Sequence, residues 1–244
     1  MKIVVKNTLV NYEQFGQGPE QLLILHGWGR SLSEWRETAQ FCAQKYTVTI
    51  VDFPGFGSSD DPDYAWDTYD YAECIHDFLM KMGLKKVTII GHSFGGRIAT
   101  ILAAQHAELI AKIILVDAGG IEIKSMAVRC LHFFYAVFVK PFRKLLSKKI
   151  RNQFGSADYR VLSGTMRDVF KKVVNQDLRQ LFSEIKQPTV VVWGSNDQVL
   201  PVSYTKIYKA LIPQSVIRIV WGAEHSPHLS GKKDFYDILK EVLL

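Results

Sequence analysis

Apolar and polar positions follow a regular rhythm that predicts strands and helices in turn. Short apolar runs predict strands at Lys2–Lys6, Leu9–Phe15, Gln21–Leu25, Tyr46–Val51, Lys86–Ile90, Ala111–Val116, Thr189–Trp193 and Val216–Trp221. Helical spacing lies between them at Ser33–Gln44, Thr68–Met82, from Gly96 to about Gln105, near Ser203–Leu211 and near Lys232–Leu244. Nearly continuous apolar strands need cover on both faces, so this rhythm predicts a mostly parallel sheet between helices, with an edge hairpin at the start.

The rhythm is interrupted between the strand that ends at Val116 and the one that begins at Thr189. Helical spacing dominates there, and we predict a core at residues 1–120 and 185–244 with a helical insertion at 121–184. The insertion holds the apolar run Cys130–Val139. Four of its side chains are candidates to line a substrate pocket, or simply to pack the insertion on the core: Phe133, Phe134, Val137 and Phe138.

The composition limits the classes of protein to which this chain can belong. The chain has 244 residues, 48% of them hydrophobic and 22% charged, which suits one globular domain with a sizeable core. Cys42, Cys74 and Cys130 are odd in number and form no C-x-x-C pair, as in a reducing compartment. No secretory h-region and no apolar run of about 18 residues is recognised, so we expect a cytoplasmic protein.

The net charge of +6 is concentrated in the insertion. Between Glu122 and Ser183 there are 13 Lys and Arg against 4 Asp and Glu. A basic cluster follows the apolar run directly: Lys140, Arg143, Lys144, Lys148, Lys149 and Arg151. It suits an acidic carrier protein, an anionic substrate or an anionic membrane surface, and a solvated helix face explains it equally. No nucleic-acid recognition motif is present, so we expect no nucleic-acid partner.

The first candidate for chemistry is Gly91-His92-Ser93-Phe94-Gly95, a G-x-S-x-G motif. It follows a predicted apolar strand and opens a predicted helix, which is the context of a nucleophile elbow. The flanking glycines leave space for a sharp turn that exposes a serine hydroxyl at the carboxyl edge of the sheet. Ser93 is therefore the candidate nucleophile.

A serine nucleophile needs a base, and the base needs a carboxylate to orient it. His225 follows the last predicted strand and is the candidate base, with His228 as its rival. Asp197 follows the strand before it and is the candidate acid, with Asp117 at the end of an earlier strand as the alternative. The chain order Ser93, Asp197, His225 is that of a known serine-hydrolase arrangement.

A further motif, His26-Gly27-Trp28-Gly29, directly follows the third predicted strand. An acyl-transfer site needs preorganised N–H donors for the oxyanion. The backbone N–H groups of Trp28 and Phe94 are the candidates. No His/Cys/Asp cluster with metal-ligand spacing is recognised, so we expect neither metal nor cofactor.

These motifs, together with Asp52–Ser59 after the fourth predicted strand, resemble the α/β-hydrolase superfamily over residues 1–120 and 185–244. The resemblance implies an α/β-hydrolase fold and makes the insertion the cap. It implies hydrolysis of a small-molecule carboxylic ester, thioester or lactone. The His-Gly-Trp-Gly stretch is also similar to pimeloyl-carrier-protein methyl ester esterases.

The same residues leave other functions open. A C–C bond hydrolase of ring-cleavage-type diketones uses the same triad, as do haloperoxidases and acyltransferases. A small-ligand receptor on a retained hydrolase fold is the alternative from a different class.

Overall fold

The computed structural model describes residues 1–121 and 164–244, and the structure is discussed for these residues alone. Eight strands form one sheet: β1 (Lys2–Val5), β2 (Thr8–Phe15), β3 (Glu20–Leu25), β4 (Tyr46–Val51), β5 (Val87–His92), β6 (Ile110–Val116), β7 (Thr189–Gly194) and β8 (Val216–Val220). Their order across the sheet is β1-β2-β4-β3-β5-β6-β7-β8. β1 and β2 form the predicted edge hairpin, β2 pairs antiparallel with β4, and all other pairs are parallel.

The α-helices of the described residues lie between strands in sequence or follow the last strand. They are α1 (Arg36–Cys42), α2 (Thr68–Met82), α3 (Phe94–Gln105), α4 (Gly164–Asn175), α5 (Arg179–Phe182), α6 (Tyr204–Leu211), α7 (Pro227–Ser230) and α8 (Lys232–Leu243). None of these helices has the length and apolar character that crossing a membrane requires.

Alternate residues of each central strand enter two separate cores. On β3, Leu23 and Leu25 face the core that contains α2 and α3, while Leu22 and Ile24 face the core that contains α1 and α8. This is the period-two alternation of a strand with both faces covered. The predicted layered sheet is therefore confirmed, and all parallel strands end at one edge.

Local starts and ends differ from the predictions. The helix predicted from Ser33 begins as a 3-10 turn at Leu32–Trp35, and α1 itself starts at Arg36. Lys6 is not in the first strand, because it and Asn7 adopt positive φ in the hairpin turn. The cap boundaries at 121–184 stay a prediction, because residues 122–163 lie outside the described part.

Candidate active site

Ser93 lies in a sharp turn between β5 and α3. Its φ of 49° and ψ of −105° fall outside the regions that residues with a Cβ ordinarily adopt. Its backbone N–H donates to the carbonyl of Val116 at 3.0 Å, and the N–H of Gly119 donates to the Ser93 carbonyl at 3.0 Å. These bonds hold the strained turn at the carboxyl edge of the sheet, where Ser93 is partly exposed.

The two glycines of the motif are required by close backbone approach. A Cβ on Gly91 would lie 2.6 Å from the carbonyl oxygen of Gly95. A Cβ on Gly95 would lie 2.2 Å from the carbonyl oxygen of Leu25 on β3. The spacing of the motif therefore follows from packing α3 tightly against the end of the sheet.

A chain of hydrogen bonds runs from Ser93 through His225 to Asp197. His225 Nε2 lies 3.0 Å from Ser93 Oγ, and His225 Nδ1 lies 2.7 Å from Asp197 Oδ2. The other carboxylate oxygen, Oδ1, accepts from the N–H groups of Val199 at 2.7 Å and Leu200 at 2.9 Å. With Nδ1–H donating to a carboxylate, Nε2 is left as the acceptor that faces the serine hydroxyl.

The electrostatics separate Asp197 from its rival Asp117. Burial alone would raise the pKa of Asp197, but its hydrogen bonds with His225 and the Leu200 N–H hold that pKa below its usual value. Burial raises the pKa of Asp117 to about 9, and Asp197 beside it acts in the same direction. Asp117 accepts from the N–H of Gly194 at 3.0 Å through Oδ1. Asp197 is thus the carboxylate that reaches His225, whereas Asp117 is neutral at pH 7.

The rival base His228 is turned away from Ser93. Its ring is buried and stacks on Trp35 with centroids 3.9 Å apart, and neither ring nitrogen has a hydrogen-bond partner among the described residues. Burial lowers the pKa of His228 to about 2. His225 is instead the imidazole that contacts the serine.

Two further histidines, His92 and His26, hold the surrounding loops. His92 Nε2 donates to the backbone carbonyl of His225 at 2.7 Å and so fixes the loop that carries this ring. His26 Nε2 accepts from the N–H of Phe53 at 3.1 Å, which leaves Nδ1–H to donate to the Gly27 carbonyl at 2.7 Å. The link from His92 to the His225 loop was not recognised in the sequence, although the predicted triad already places Ser93 beside His225.

The proposed oxyanion donors lie on adjoining backbone segments. Phe94 is the first residue of α3, where N–H groups have no partner inside the helix. Trp28 lies in the loop after β3, which the Gly95 N–H ties to the elbow by donating to the His26 carbonyl at 3.1 Å. Within the described ranges, neither the Trp28 nor the Phe94 N–H donates to a protein acceptor. Both are therefore available to a ligand at Ser93.

A cavity of about 250 Å³ opens beside Ser93. Its wall is largely apolar and includes Trp28, Phe94, Phe170, Val173, Val174 and Leu200. Trp28 contacts the rings of Phe94 and Phe170 edge-on, at centroid distances of 5.4 Å and 5.2 Å. The α4 residues were not predicted to line the site, although Val169, Phe170 and Val173 have helical spacing toward one face.

Several predicted residues lie outside the described part of the chain. These are the pocket candidates Phe133, Phe134, Val137 and Phe138, and the basic cluster Lys140, Arg143, Lys144, Lys148, Lys149 and Arg151. Their roles stay predictions.

The fold and this geometry define a class of protein. The family model for the alpha/beta hydrolase fold matches residues 21–164, more than half of the chain, and the chain belongs to this family. The predicted fold class and the resemblance on which it rested are confirmed.

The individual relatives are distant from this chain in sequence, and their names indicate different reactions. The chain is 28% identical to a putative esterase/lipase 2 of Mycoplasma pneumoniae, over 91% of this chain and 88% of the relative. It is 27% identical to the pimeloyl-[acyl-carrier protein] methyl ester esterase of Aeromonas salmonicida, over 95% and 98% respectively. A bromoperoxidase from Bacillus anthracis superposes with a TM-score of 0.79 at 21% identity, covering 100% of this chain and 99% of the other, which shows the fold alone.

Proposed function

We propose that this α/β hydrolase is a serine carboxylesterase that forms an acyl-enzyme on Ser93. The observation that carries the proposal is the continuous line of hydrogen bonds from Ser93 Oγ through His225 to the buried Asp197. Such a line gives a weak hydroxyl nucleophile a base within proton-transfer distance and gives the base a fixed tautomer. The esterase names of the two relatives point in the same direction.

In the acylation step, Ser93 Oγ attacks the ester carbonyl carbon as His225 Nε2 takes the hydroxyl proton. The carbonyl oxygen becomes an oxyanion, and the N–H groups of Trp28 and Phe94 are its proposed donors. Asp197 stabilises the imidazolium that forms, because its low pKa keeps it ionised. His225 then returns the proton to the leaving alkoxide, and the C–O bond of the ester breaks.

Deacylation repeats these steps with water in place of the serine hydroxyl. His225 takes a proton from water, the resulting hydroxide attacks the acyl carbon, and the proton passes to Ser93 Oγ. The partial exposure of His225 allows water to reach it, since 22% of its side-chain surface is accessible.

The wall of the cavity points to an apolar acyl group of modest size. Trp28, Phe94, Phe170 and Val173 are among the apolar residues that line the cavity with Ser93. A cavity of about 250 Å³ lies at or below the small end of ligand pockets, which start at about 300 Å³. Short acyl esters are therefore the expected substrates.

The test combines covalent labelling with a substrate panel. A fluorophosphonate probe should label Ser93, and p-nitrophenyl esters of increasing acyl length should be hydrolysed fastest at short lengths. The matched control is Ser195→Ala, because Ser195 lies at the same sheet edge but accepts from the N–H of Gly222 instead. It should label like the unchanged protein, whereas Ser93→Ala should not label.

Two outcomes would contradict the proposal. Labelling of Ser93→Ala at the normal rate would place the nucleophile elsewhere. Labelling of Ser93 without turnover of any ester would instead favour a C–C bond hydrolase or a receptor on this fold.

A further inference from the structure

A cluster of two histidines and one glutamate lies between α2 and the C-terminal end of α3. Glu73 and His76 are three residues apart on α2 and therefore share a face of that helix. His106 follows the last residue of α3. One potential ligand atom from each of the three lies within 4.8 Å of the other two, a proximity that the sequence alone does not predict.

The hydrogen bonds of the cluster leave the Nε2 atom of His76 available. His76 Nδ1 lies 3.2 Å from Asp77 Oδ1 and donates to it, so His76 Nε2 keeps its lone pair. In the described ranges that Nε2 has no hydrogen-bond partner. The His106 ring stacks on the His76 ring with centroids 4.1 Å apart, and its Nε2 lies 3.0 Å from Glu73 Oε1.

We propose that Glu73, His76 and His106 bind a divalent transition-metal cation of the Zn²⁺ type. Two imidazole nitrogens and one carboxylate oxygen are a ligand set that zinc uses with water as the fourth ligand. The cation would replace the proton that His106 Nε2 now donates to Glu73, and that proton would be released to solvent. Bond lengths of about 2.1 Å place tetrahedral ligands about 3.4 Å apart. All three side chains are half-buried, so rotamer adjustments can close the present spacing.

Asp77 holds the ring of His76 through a hydrogen bond that an ion pair between His106 and Glu73 would not require. Histidines that bind metals usually donate their other ring N–H to a carboxylate, which fixes the tautomer. Asp77 holds His76 in that way. The hydrogen bond between His106 and Glu73 accounts for the positions of those two residues. It does not account for His76, which stacks on His106 with its Nδ1–H held by Asp77.

The cation would join α2 to α3 without touching Ser93. The ligands come from two helices that pack together only in the folded chain. Binding to the folded state alone stabilises it by mass action. We expect a rise in Tm of about 5 °C when free Zn²⁺ exceeds its Kd roughly a hundredfold.

The experiment is a calorimetric titration of the full-length protein with ZnCl₂, together with the visible spectrum after Co²⁺ is added. We expect one Zn²⁺ per chain and the d–d absorption of four-coordinate Co²⁺, with no binding of Mg²⁺, which prefers oxygen ligands. His76→Ala and His106→Ala should each weaken binding by more than tenfold. Asp77→Asn should weaken it by about tenfold.

The matched control is His225→Ala, since Asp117, Asp197 and His225 form the other three-residue grouping of possible ligands among the described residues. It should bind Zn²⁺ like the unchanged protein, whatever its effect on ester hydrolysis. Glu73→Gln keeps an acceptor for His106 and so tests binding without loss of the helix contact. The proposal is overturned if the unchanged protein binds no Zn²⁺, if His76→Ala and His106→Ala bind it normally, or if His225→Ala abolishes binding.

Discussion

Helix α3 has a histidine–carboxylate grouping at each end, and the two ends are built differently. At its start, the Asp197 side chain is fully buried, and two backbone N–H groups bind one of its oxygens. At its end, about 18 Å away by helix geometry, Glu73 keeps 43% of its side-chain surface exposed and contacts His106. Burial and backbone donors fix one geometry, as proton transfer requires. Half-exposed side chains keep the freedom to close around a cation.

The largest effects are expected where the geometry is fixed. Ser93→Ala should lower kcat for esters by about 10³-fold or more, because the triad acts as a unit. His225→Ala should cost a similar factor, since the hydroxyl then has no base. Steady-state kinetics with a short p-nitrophenyl ester measures both, and far-UV circular dichroism checks that folding is retained. Near-normal turnover by His225→Ala would refute the assignment of the base.

The two aspartates at the same edge provide a finer comparison. Asp197→Asn should lower kcat by about 10²- to 10⁴-fold, because the amide favours the wrong imidazole tautomer. Asp117→Asn should change kcat only a few-fold, because the neutral amide mimics the protonated carboxyl group. The opposite ranking of the two variants in kcat would move the acid to Asp117.

Asp117→Asn should also change how the stability of the protein depends on pH. The pKa of Asp117 is raised to about 9 in the folded protein, so the unchanged chain loses stability as pH rises from about 4 towards 9. The amide does not titrate and removes this loss. The Tm of the variant relative to the unchanged protein should therefore increase from pH 5 to pH 9. A difference in Tm that is flat across this range would contradict a buried, protonated Asp117.

The sequence was informative where chemistry follows a strand in a fixed order. Ser93, Asp197 and His225 each lie in the turn or loop that follows an apolar strand, and parallel strands bring their ends together. The structure brings these three side chains into one line of hydrogen bonds.

The sequence was uninformative where a contact depends on how two helices pack. Glu73 and His76 share a helix face, but nothing local shows that His106, thirty residues further on, lies beside them. The lining of the cavity by Phe170 and Val173 depends in the same way on where α4 packs beside Trp28. The 3-10 start of α1 was missed because spacing alone does not separate it from an α-helix.

A smaller effect is expected at His228, which lies near the start of α3, where it packs beside His92. Its folded pKa of about 2 is far below the value near 6.5 of an unfolded chain, so stability is lost as pH falls below 6.5. His228→Phe keeps the stacking on Trp35 and breaks no hydrogen bond within the described part of the chain. The variant should gain roughly 1 kcal/mol of relative stability per pH unit between pH 6 and pH 4, with kcat unchanged. Urea unfolding at pH 6, 5 and 4 measures it, and a constant difference would show that His228 is not neutral when folded.

The smallest effect on turnover is expected from removing metal ions. In the proposed mechanism His225 alone activates Ser93, and each group that it needs is a side chain or a backbone N–H. If the end of α3 binds Zn²⁺, the ion lies about a helix length from the reacting atoms and acts on stability. Treatment with EDTA should therefore leave kcat and KM for a short ester unchanged, while the Tm of a Zn²⁺-loaded sample falls to that of the metal-free protein. Loss of turnover in EDTA that zinc restores would place a metal in the chemistry, and the two ends of α3 would then not be independent.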